Sequence, residues 1–496
     1  MLVRGGFGGI ARWMRSRVVL ATLALLVGVF FLRGVADYHQ FSNASNAALH
    51  LLVPATSSNV NLCRLLLSAA VLNYPAPVLI NWGAPEAQDA YVQHLAKVWT
   101  ILDYLDVLVK NGKQDDLVLI VDGFDIHFQL PPEVLLQRYF QENERANKRI
   151  QAQHGRVAAA RYGFKQTVIF GHDKLCWPMD NRRPACWAVP EASDPRYAYG
   201  PNTDSDSNKA RARWLNSGTV LGPVSHVRDV FNATLDLIHK NHTTDSDQFY
   251  FANLWAAQEF QRSMLEPTGE PYKNINKDHV DWLTVDSTKR FDYYIGLDYE
   301  AVLFQTMAFF RPYLSWMKFD GLPKSTKTPR GTPLTHQISD PYYDRVLPAD
   351  LANSRSPFYA ALKTRTPDDT SPSSLPLQLT WQDFKLGVNA ISNQIFPLLH
   401  FTGPKEFRHL WWGRMWYVPY GEELLKASAR LLQMPKEPIS PQPIGGQVWW
   451  SGELDAWKGV DLGAKGGAFS DNSTFLAWDG LCLEHEPVVF GREPEV

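Results

Sequence analysis

The sequence lacks an excess of charge: 49 basic residues face 51 acidic ones in a chain of 496, a formal net charge of -2. That balance excludes an extended electrostatic surface for nucleic acid, so no nucleic-acid partner is expected. Cysteine is scarce, with four residues and no C-x-x-C spacing, and nothing predicts a structural zinc. There is no internal repeat and no run of like charge. What the chain does have is 45% hydrophobic residues with 17 Trp and 19 Tyr. This is ordinary globular material, sufficient for one large domain with elaborations or for two domains. So many large aromatics suit sugar-facing surfaces, and they also suit a packed core.

The N-terminus carries the compartment signal. Arg4, Arg12, Arg15 and Arg17 precede an uninterrupted apolar run from Val18 to Leu32, which Arg33 follows. The positive flank predicts a cytoplasmic tail over 1–17, a signal-anchor helix in the membrane over 18–36 and a lumenal remainder. Gly34-Val35-Ala36 also has the small-x-small form of a cleavage site, and the alternative is a removed signal peptide and a secreted protein. Both readings put the bulk of the chain in the secretory pathway, the first as a single-pass type II protein of the Golgi or endoplasmic reticulum. Sequons at Asn43, Asn232, Asn241 and Asn472 are compatible with that route. In an oxidising lumen the cysteines become candidates for disulfides. Cys176 and Cys186 bracket a loop with Pro178 and Pro184, whereas Cys63 and Cys482 lie near opposite ends of the lumenal region; the sequence alone does not fix the pairing.

A polar stretch over 37–61 reads as a stem, and the folded core is expected over 62–320. Val78 to Trp82 reads as a first strand. Tyr91, Leu95, Val98, Leu102, Leu105 and Val109 then recur at helical spacing, with Asn111-Gly112 as the stop. Leu117-Val118-Leu119-Ile120-Val121 is a short, β-branched apolar run, the signature of a strand buried on both faces. A helix from Pro131-Pro132-Glu133 and a strand over Gln166 to Phe170, ended by Gly171, extend the alternation. Strand and helix in alternation predict an α/β fold with a mostly parallel sheet flanked by helices. A Pro-, Ser- and Thr-rich insertion is expected over 321–376 as a surface loop or lid. The core resumes over 377–434, and a Trp-rich extension follows over 435–496, whose Trp449, Trp450, Trp457 and Trp478 are expected to pack onto the core, with the lining of an acceptor groove as the alternative.

The chemistry gathers where the apolar strand stops, at Asp122-Gly123-Phe124-Asp125. Ligands in open α/β sheets bind beyond the carboxyl ends of strands, where two carboxylates three apart are suited to share a divalent cation; an Asx turn is the alternative use of the same spacing. A second strand carries Asn216-Ser217-Gly218, whose short groups allow close approach to a ligand hydroxyl. Asp245-Ser246-Asp247-Gln248 then opens a helix and offers a carboxylate and an amide.

These segments, with Phe170-Gly171-His172-Asp173-Lys174-Leu175-Cys176-Trp177-Pro178 and Gly296-Leu297-Asp298-Tyr299 through Phe304-Gln305, occur in an order that resembles the glycosyltransferase domain of the procollagen lysyl hydroxylase family and its collagen galactosyltransferase relatives. The resemblance covers roughly 75–310 and again about 390–410. It implies a GT-A type, Rossmann-like fold that binds a UDP-sugar, UDP-glucose or UDP-galactose, through Mn²⁺. It further implies that Asp122, Asp125 and the downstream His400 hold the metal, and that Gly403 and Lys405, with Asp122, bind the nucleotide diphosphate. Asp247, Gln248 and Asn216 would serve catalysis, and the acceptor would be a glycan or the hydroxylated side chain of a protein. Two carboxylates, an imidazole, two diphosphate oxygens and a water complete an octahedral site suited to Mn²⁺. Ser246 departs from the consecutive carboxylates usual in the family. No His-x-Asp followed by a distant His in a jelly-roll-like run is found, so hydroxylase activity is not expected. A nucleotide-sugar hydrolase and a lectin-like or scaffold protein without catalysis are the alternatives.

Overall fold

The computed structural model describes residues 44–85, 90–241, 246–265, 290–321, 346–365, 374–454 and 457–493. The expected membrane span at 18–36, the Asn43 sequon, Asp245 and the Tyr342-Tyr343 part of the insertion lie outside them. Among the described residues no helix is long and apolar enough to cross a membrane.

The molecule is a mixed α/β protein around a mostly parallel, Rossmann-like central sheet. In chain order its first elements are β1 (Ser45–Pro54), α1 (Val60–Val71), β2 (Val78–Ile80), α2 (Ala90–Lys110), β3 (Leu117–Val121) and β4 (Ile126–Phe128). They are followed by α3 (Pro132–His154), β5 (Val168–Asp173), β6 (Trp214–Pro223), α4 (Val224–Asn241), α5 (Asp247–Leu265), β7 (Ile295–Leu297) and β8 (Phe304–Thr306). Next come β9 (Leu314–Met317), β10 (Leu386–Asn389), β11 (Gln394–Ile395), β12 (Leu398–His400), α6 (Gly421–Leu432), β13 (Gln447–Ser451), β14 (Gly467–Ser470) and β15 (Phe475–Ala477), with shorter helical turns between them.

The central sheet runs β15-β14-β2-β1-β3-β6-β5-β7, with β13 also paired to β1. Only β6 and β15 run against their neighbours. The alternation of β3 shows why its apolar run is unbroken. Leu117, Leu119 and Val121 face one core with α1 and α3, while Val118 and Ile120 face a second core with α2, α4 and α5. Burial of each such side chain contributes about 1.5–3 kcal/mol, so a polar residue on either face would be costly.

Three sequence expectations need correction. The stretch assigned to a stem contains β1, one of the most buried strands of the sheet, and the start of α1. Its polar residues misled: His50 sits inside the sheet because its Nε2 meets Asp116 Oδ2 at 2.9 Å, and Asn59 caps α1 by accepting from the backbone N–H groups of Asn61 and Leu62. The strand expected to end at Gly171 continues to Asp173, with a register shift between Phe170 and Gly171. Finally, residues 346–365 of the expected surface insertion bury Leu351 and Phe358 in the core.

The C-terminal extension is part of the same fold. β13 pairs in parallel with Ser45 to Leu49 of β1, and β14 pairs with β2. Trp449, Trp457 and Trp478 are buried, Trp457 stacking on Phe469 with centroids 4.0 Å apart. Disulfides join Cys63 to Cys482 and Cys176 to Cys186.

Candidate metal centre and its rim

The site is assembled at the carboxyl end of β3. The Asp122 backbone N–H donates to the Gly218 carbonyl of β6 at 2.9 Å, which fixes the chain as it leaves the sheet. Gly123 follows because a Cβ there would overlap the Pro54 carbonyl at the end of β1. After Asp125, β4 pairs antiparallel with β12, in a register that sets His400 opposite Ile126. Phe401 N–H donates to the Asp125 carbonyl at 2.8 Å and ties the two chains together there. A second small sheet, β4-β12-β8, thereby carries a histidine distant in sequence to the two carboxylates.

Ligand atoms of Asp122, Asp125 and His400 all lie within 4.8 Å of one another, with His400 Nε2 3.7 Å from Asp122 Oδ2. Two ligands on one Mn²⁺-sized ion at about 2.1–2.2 Å stand no more than about 4.4 Å apart, so the cluster is close to the span an ion requires. The donor set also fits, since carboxylate oxygens suit Mn²⁺ and imidazole is a common divalent-metal ligand. His400 is 3% exposed, and burial pushes its pKa down, which favours the neutral ring with a free lone pair. Its Nδ1 has no hydrogen-bond partner. Gly218 is required by the cluster: a Cβ would overlap the His400 ring and come within 2.6 Å of Asp122 Oδ2.

Cations surround the triad. Lys405 Nζ donates to Asp125 Oδ2 at 2.5 Å and to the Phe401 carbonyl at 3.0 Å, and Arg408 reaches Asp125 Oδ1 at 3.1 Å. Gly403, at φ +76°, makes the left-handed turn between β12 and Lys405. On the other side Lys97 of α2 lies between two carboxylates, 2.8 Å from Asp122 Oδ1 and 2.9 Å from Asp247 Oδ2. Burial works against the Lys97 charge, but both carboxylates outweigh it and raise its pKa. Burial likewise works against ionised Asp122 and Asp247, yet Lys97 beside both, with His94 beside the second, holds them below the usual carboxylate range. Asp247 is the first residue of α5, where the helix N-terminus also favours negative charge.

Asn216 and Gln248 form a separate group. Asn216 Nδ2 donates to Asp173 Oδ2 at 3.0 Å and to Gln248 Oε1 at 3.3 Å, and Gln248 Nε2 donates to the same Asp173 oxygen at 3.3 Å. Burial pushes Asp173 up to about 7, against the two amide hydrogen bonds. The Asn216 side-chain Oδ1 accepts from Gly218 N–H at 3.0 Å, which links this group to the candidate metal centre.

The structure therefore brings Asp122, Asp125, His400 and Lys405 together, with Gly403 on the same loop. Asp247 joins them through Lys97, while Asn216 and Gln248 join Asp173. Sequence reasoning missed Lys97, His94, Arg408 and Asp173. Lys97 left a weak signal, a lysine set between Leu95 and Val98 of the buried helical stripe. In comparisons with known proteins, no family model matches the chain and no curated protein matches it.

Proposed function

We propose that the protein is a Mn²⁺-dependent glycosyltransferase that moves glucose or galactose from a UDP-sugar to a hydroxyl of a glycan or protein acceptor. The observation that carries this reading is the Asp122–Asp125–His400 cluster at the carboxyl end of a central parallel strand, with Lys405 beside it. It agrees with the resemblance to the glycosyltransferase domain of the procollagen lysyl hydroxylase family and with a GT-A type architecture. Asp122, Asp125 and His400 would hold Mn²⁺. Bound there, the metal would act as a Lewis acid, offsetting the negative charge that gathers on the UDP leaving group.

The chain's own groups account for the rest. Lys405 carries a positive charge at the metal centre, half exposed and so accessible to a diphosphate. Gly403 has no side chain to obstruct that approach. Asp247, kept ionised by Lys97, accepts hydrogen bonds from sugar hydroxyls and faces positive charge developing at the anomeric carbon. Asn216 and Gln248 orient the Asp173 carboxyl, whose pKa of about 7 suits proton exchange with a hydroxyl near neutral pH. Two disulfides accord with a lumenal protein held in the Golgi or endoplasmic reticulum by an anchor over 18–36.

The test is UDP release by the full chain from UDP-glucose and UDP-galactose, with Mn²⁺ or with EDTA, beside an Asp125→Ala variant. Mn²⁺-dependent release that EDTA and the substitution abolish supports the reading. Release that persists without acceptor and frees the sugar points to a hydrolase. No release, together with no Mn²⁺-dependent UDP binding, leaves a binding or scaffold protein.

A further inference from the structure

Because β1 begins at Ser45, only residues 37–44 separate the expected membrane anchor from the folded protein. A chain of that length reaches about 30 Å at full stretch. The metal centre lies at the far end of the strand that the tether enters. Leu49 to Leu52 of β1 run level with Leu117 to Ile120 of β3, and Gly123 packs on the Pro54 carbonyl, so Asp122 stands beside the last residue of β1. β1 is 10 residues long. At about 3.3 Å per residue, turning the metal rim onto the bilayer would hold Ser45 about 30 Å from the surface. That needs the tether at full extension, with its conformational freedom lost. The opposite orientation, with Ser45 beside the bilayer, leaves the tether slack.

The tethered end presents mostly positive charge. β3, β5 and β7 begin there alongside β1. Ser225 N–H donates to the Gln114 carbonyl and Thr167 N–H to the Tyr294 carbonyl, both at 3.0 Å, which ties these strand starts together. Around them stand Lys110 and Lys113 before β3, Arg156 and Arg161 on the short helix Arg156–Tyr162, and Lys165 before β5. Arg156 and Lys165 line one shallow hollow, with Lys165 Nζ 4.4 Å from the centre of the Tyr294 ring. Among the described residues none of these five forms an ion pair. By contrast, Arg149 and Arg290 are paired, with Glu142 at 2.8 Å and Asp229 at 2.5 Å. Asp115 is an exposed carboxylate at this end, and the Gln114 amide donates to it at 3.3 Å. Val157, beside Arg156 on the short helix, is 83% exposed. Five unpaired cations held within reach of a bilayer face the phosphates of its headgroups.

We propose that this end of the sheet rests on the lumenal surface of the membrane, with Lys110, Lys113, Arg156, Arg161 and Lys165 on lipid phosphates, and that the metal centre therefore opens toward the lumen. The inference rests on the anchor over 18–36. It also narrows the acceptor of the proposed transfer to one that approaches from the lumen, because a hydroxyl held at the bilayer surface lies at the wrong end of β1.

The experiment uses the full chain in vesicles of phosphatidylcholine with a minor share of phosphatidylserine. All four cysteines are paired, so one introduced cysteine takes a fluorophore, either Val157→Cys at the tethered end or Glu406→Cys beside Lys405. A lipid with a spin label on its headgroup reports contact by quenching. Quenching is expected to be about fivefold stronger at 157 than at 406, since the ends of β1 stand about 30 Å apart. Arg156→Glu, Arg161→Glu and Lys165→Glu together should lower it at 157 about twofold or more. Salt at about 1 M, which shortens the Debye length to about 3 Å, should do the same to the unaltered surface. Equal quenching at both positions, or stronger quenching at 406, would overturn the orientation. Quenching at 157 that resists both the substitutions and salt would overturn the role of the cations. Release of the chain by alkaline carbonate would overturn the anchor and the inference with it, a failure distinct from that of the docking face.

Discussion

Asp247 and Asp173 lie on either side of one glutamine, for Gln248 follows the first in sequence and hydrogen-bonds the second, yet their environments drive them in opposite directions. Asp247 is 3% exposed and is held well below the usual carboxylate range. Asp173 is half-buried and is pushed up to about 7. Burial alone would give the reverse order. The difference is the partner: a lysine ammonium 2.9 Å from Asp247 against two neutral amides on Asp173. One rim therefore holds a permanently charged carboxylate and a titrating one, a division of labour suited to stabilising charge at one place and exchanging a proton at another.

The strongest way to break the charged side is at the metal centre. Asp125→Ala removes a ligand from the triad and is expected to lower Mn²⁺-dependent UDP release by about a hundredfold or more, with the far-UV circular dichroism unchanged. Lys97→Met tests the pairing itself. It leaves Asp122 and Asp247 without their shared cation, and a loss of about 3 kcal/mol in chemical denaturation at neutral pH is expected. Lys97→Met with Asp247→Asn should recover part of it, because the second substitution removes the stranded charge. No loss in the single variant would show that Lys97 does not hold Asp247 ionised. Gly218→Ala presses a methyl group on the His400 ring; it should cost about 2 kcal/mol and weaken Mn²⁺ binding, measured by isothermal titration.

The pH dependence sharpens the contrast. Asp247, depressed in the folded state, contributes stability that is present above its unfolded value of about 4 and is lost as pH falls below it. Asp173 does the opposite. Its contribution is fully present below about 4 and is lost as pH rises from there to about 7, at a slope on the order of 1 kcal/mol per pH unit or less. Asp173→Asn should flatten that part of the stability profile while leaving the acid side intact. An unchanged profile between pH 4 and 7 would mean that the Asp173 pKa is not raised.

Legibility in the sequence followed the range of the interaction. Local pattern sufficed for β3, for α2 with its Leu95, Val98, Leu102 and Leu105 stripe, and for α3 behind Pro131-Pro132. Pattern failed at β1, where His50 interrupts the apolar run and is compensated only by Asp116, 66 positions away. β13 and β14 were unreadable for a related reason. Each is short, and becomes a strand by pairing with β1 and β2 from the other end of the chain. At the site, the resemblance singled out Asp122, Asp125, His400 and Lys405, which the fold brings together. Lys97 looked like an ordinary helical lysine until α2 was laid against α5, and Asp173 acquired its raised pKa only through burial in the folded rim, against the amides of Asn216 and Gln248.

The pairing of β13 with β1 has a consequence for the birth of the protein. β1 leaves the ribosome early, yet the partner for its first five residues lies at 447–451 and the partner of Cys63 at 482. For most of synthesis the nascent chain therefore carries a sheet with an open, unpaired edge, the kind of surface that other chains can join. A chaperone that shields that edge until the last tenth of the chain has emerged would be a condition of efficient folding, and premature termination after the metal histidine would release a chain that has every proposed metal ligand and an incomplete sheet to hold them.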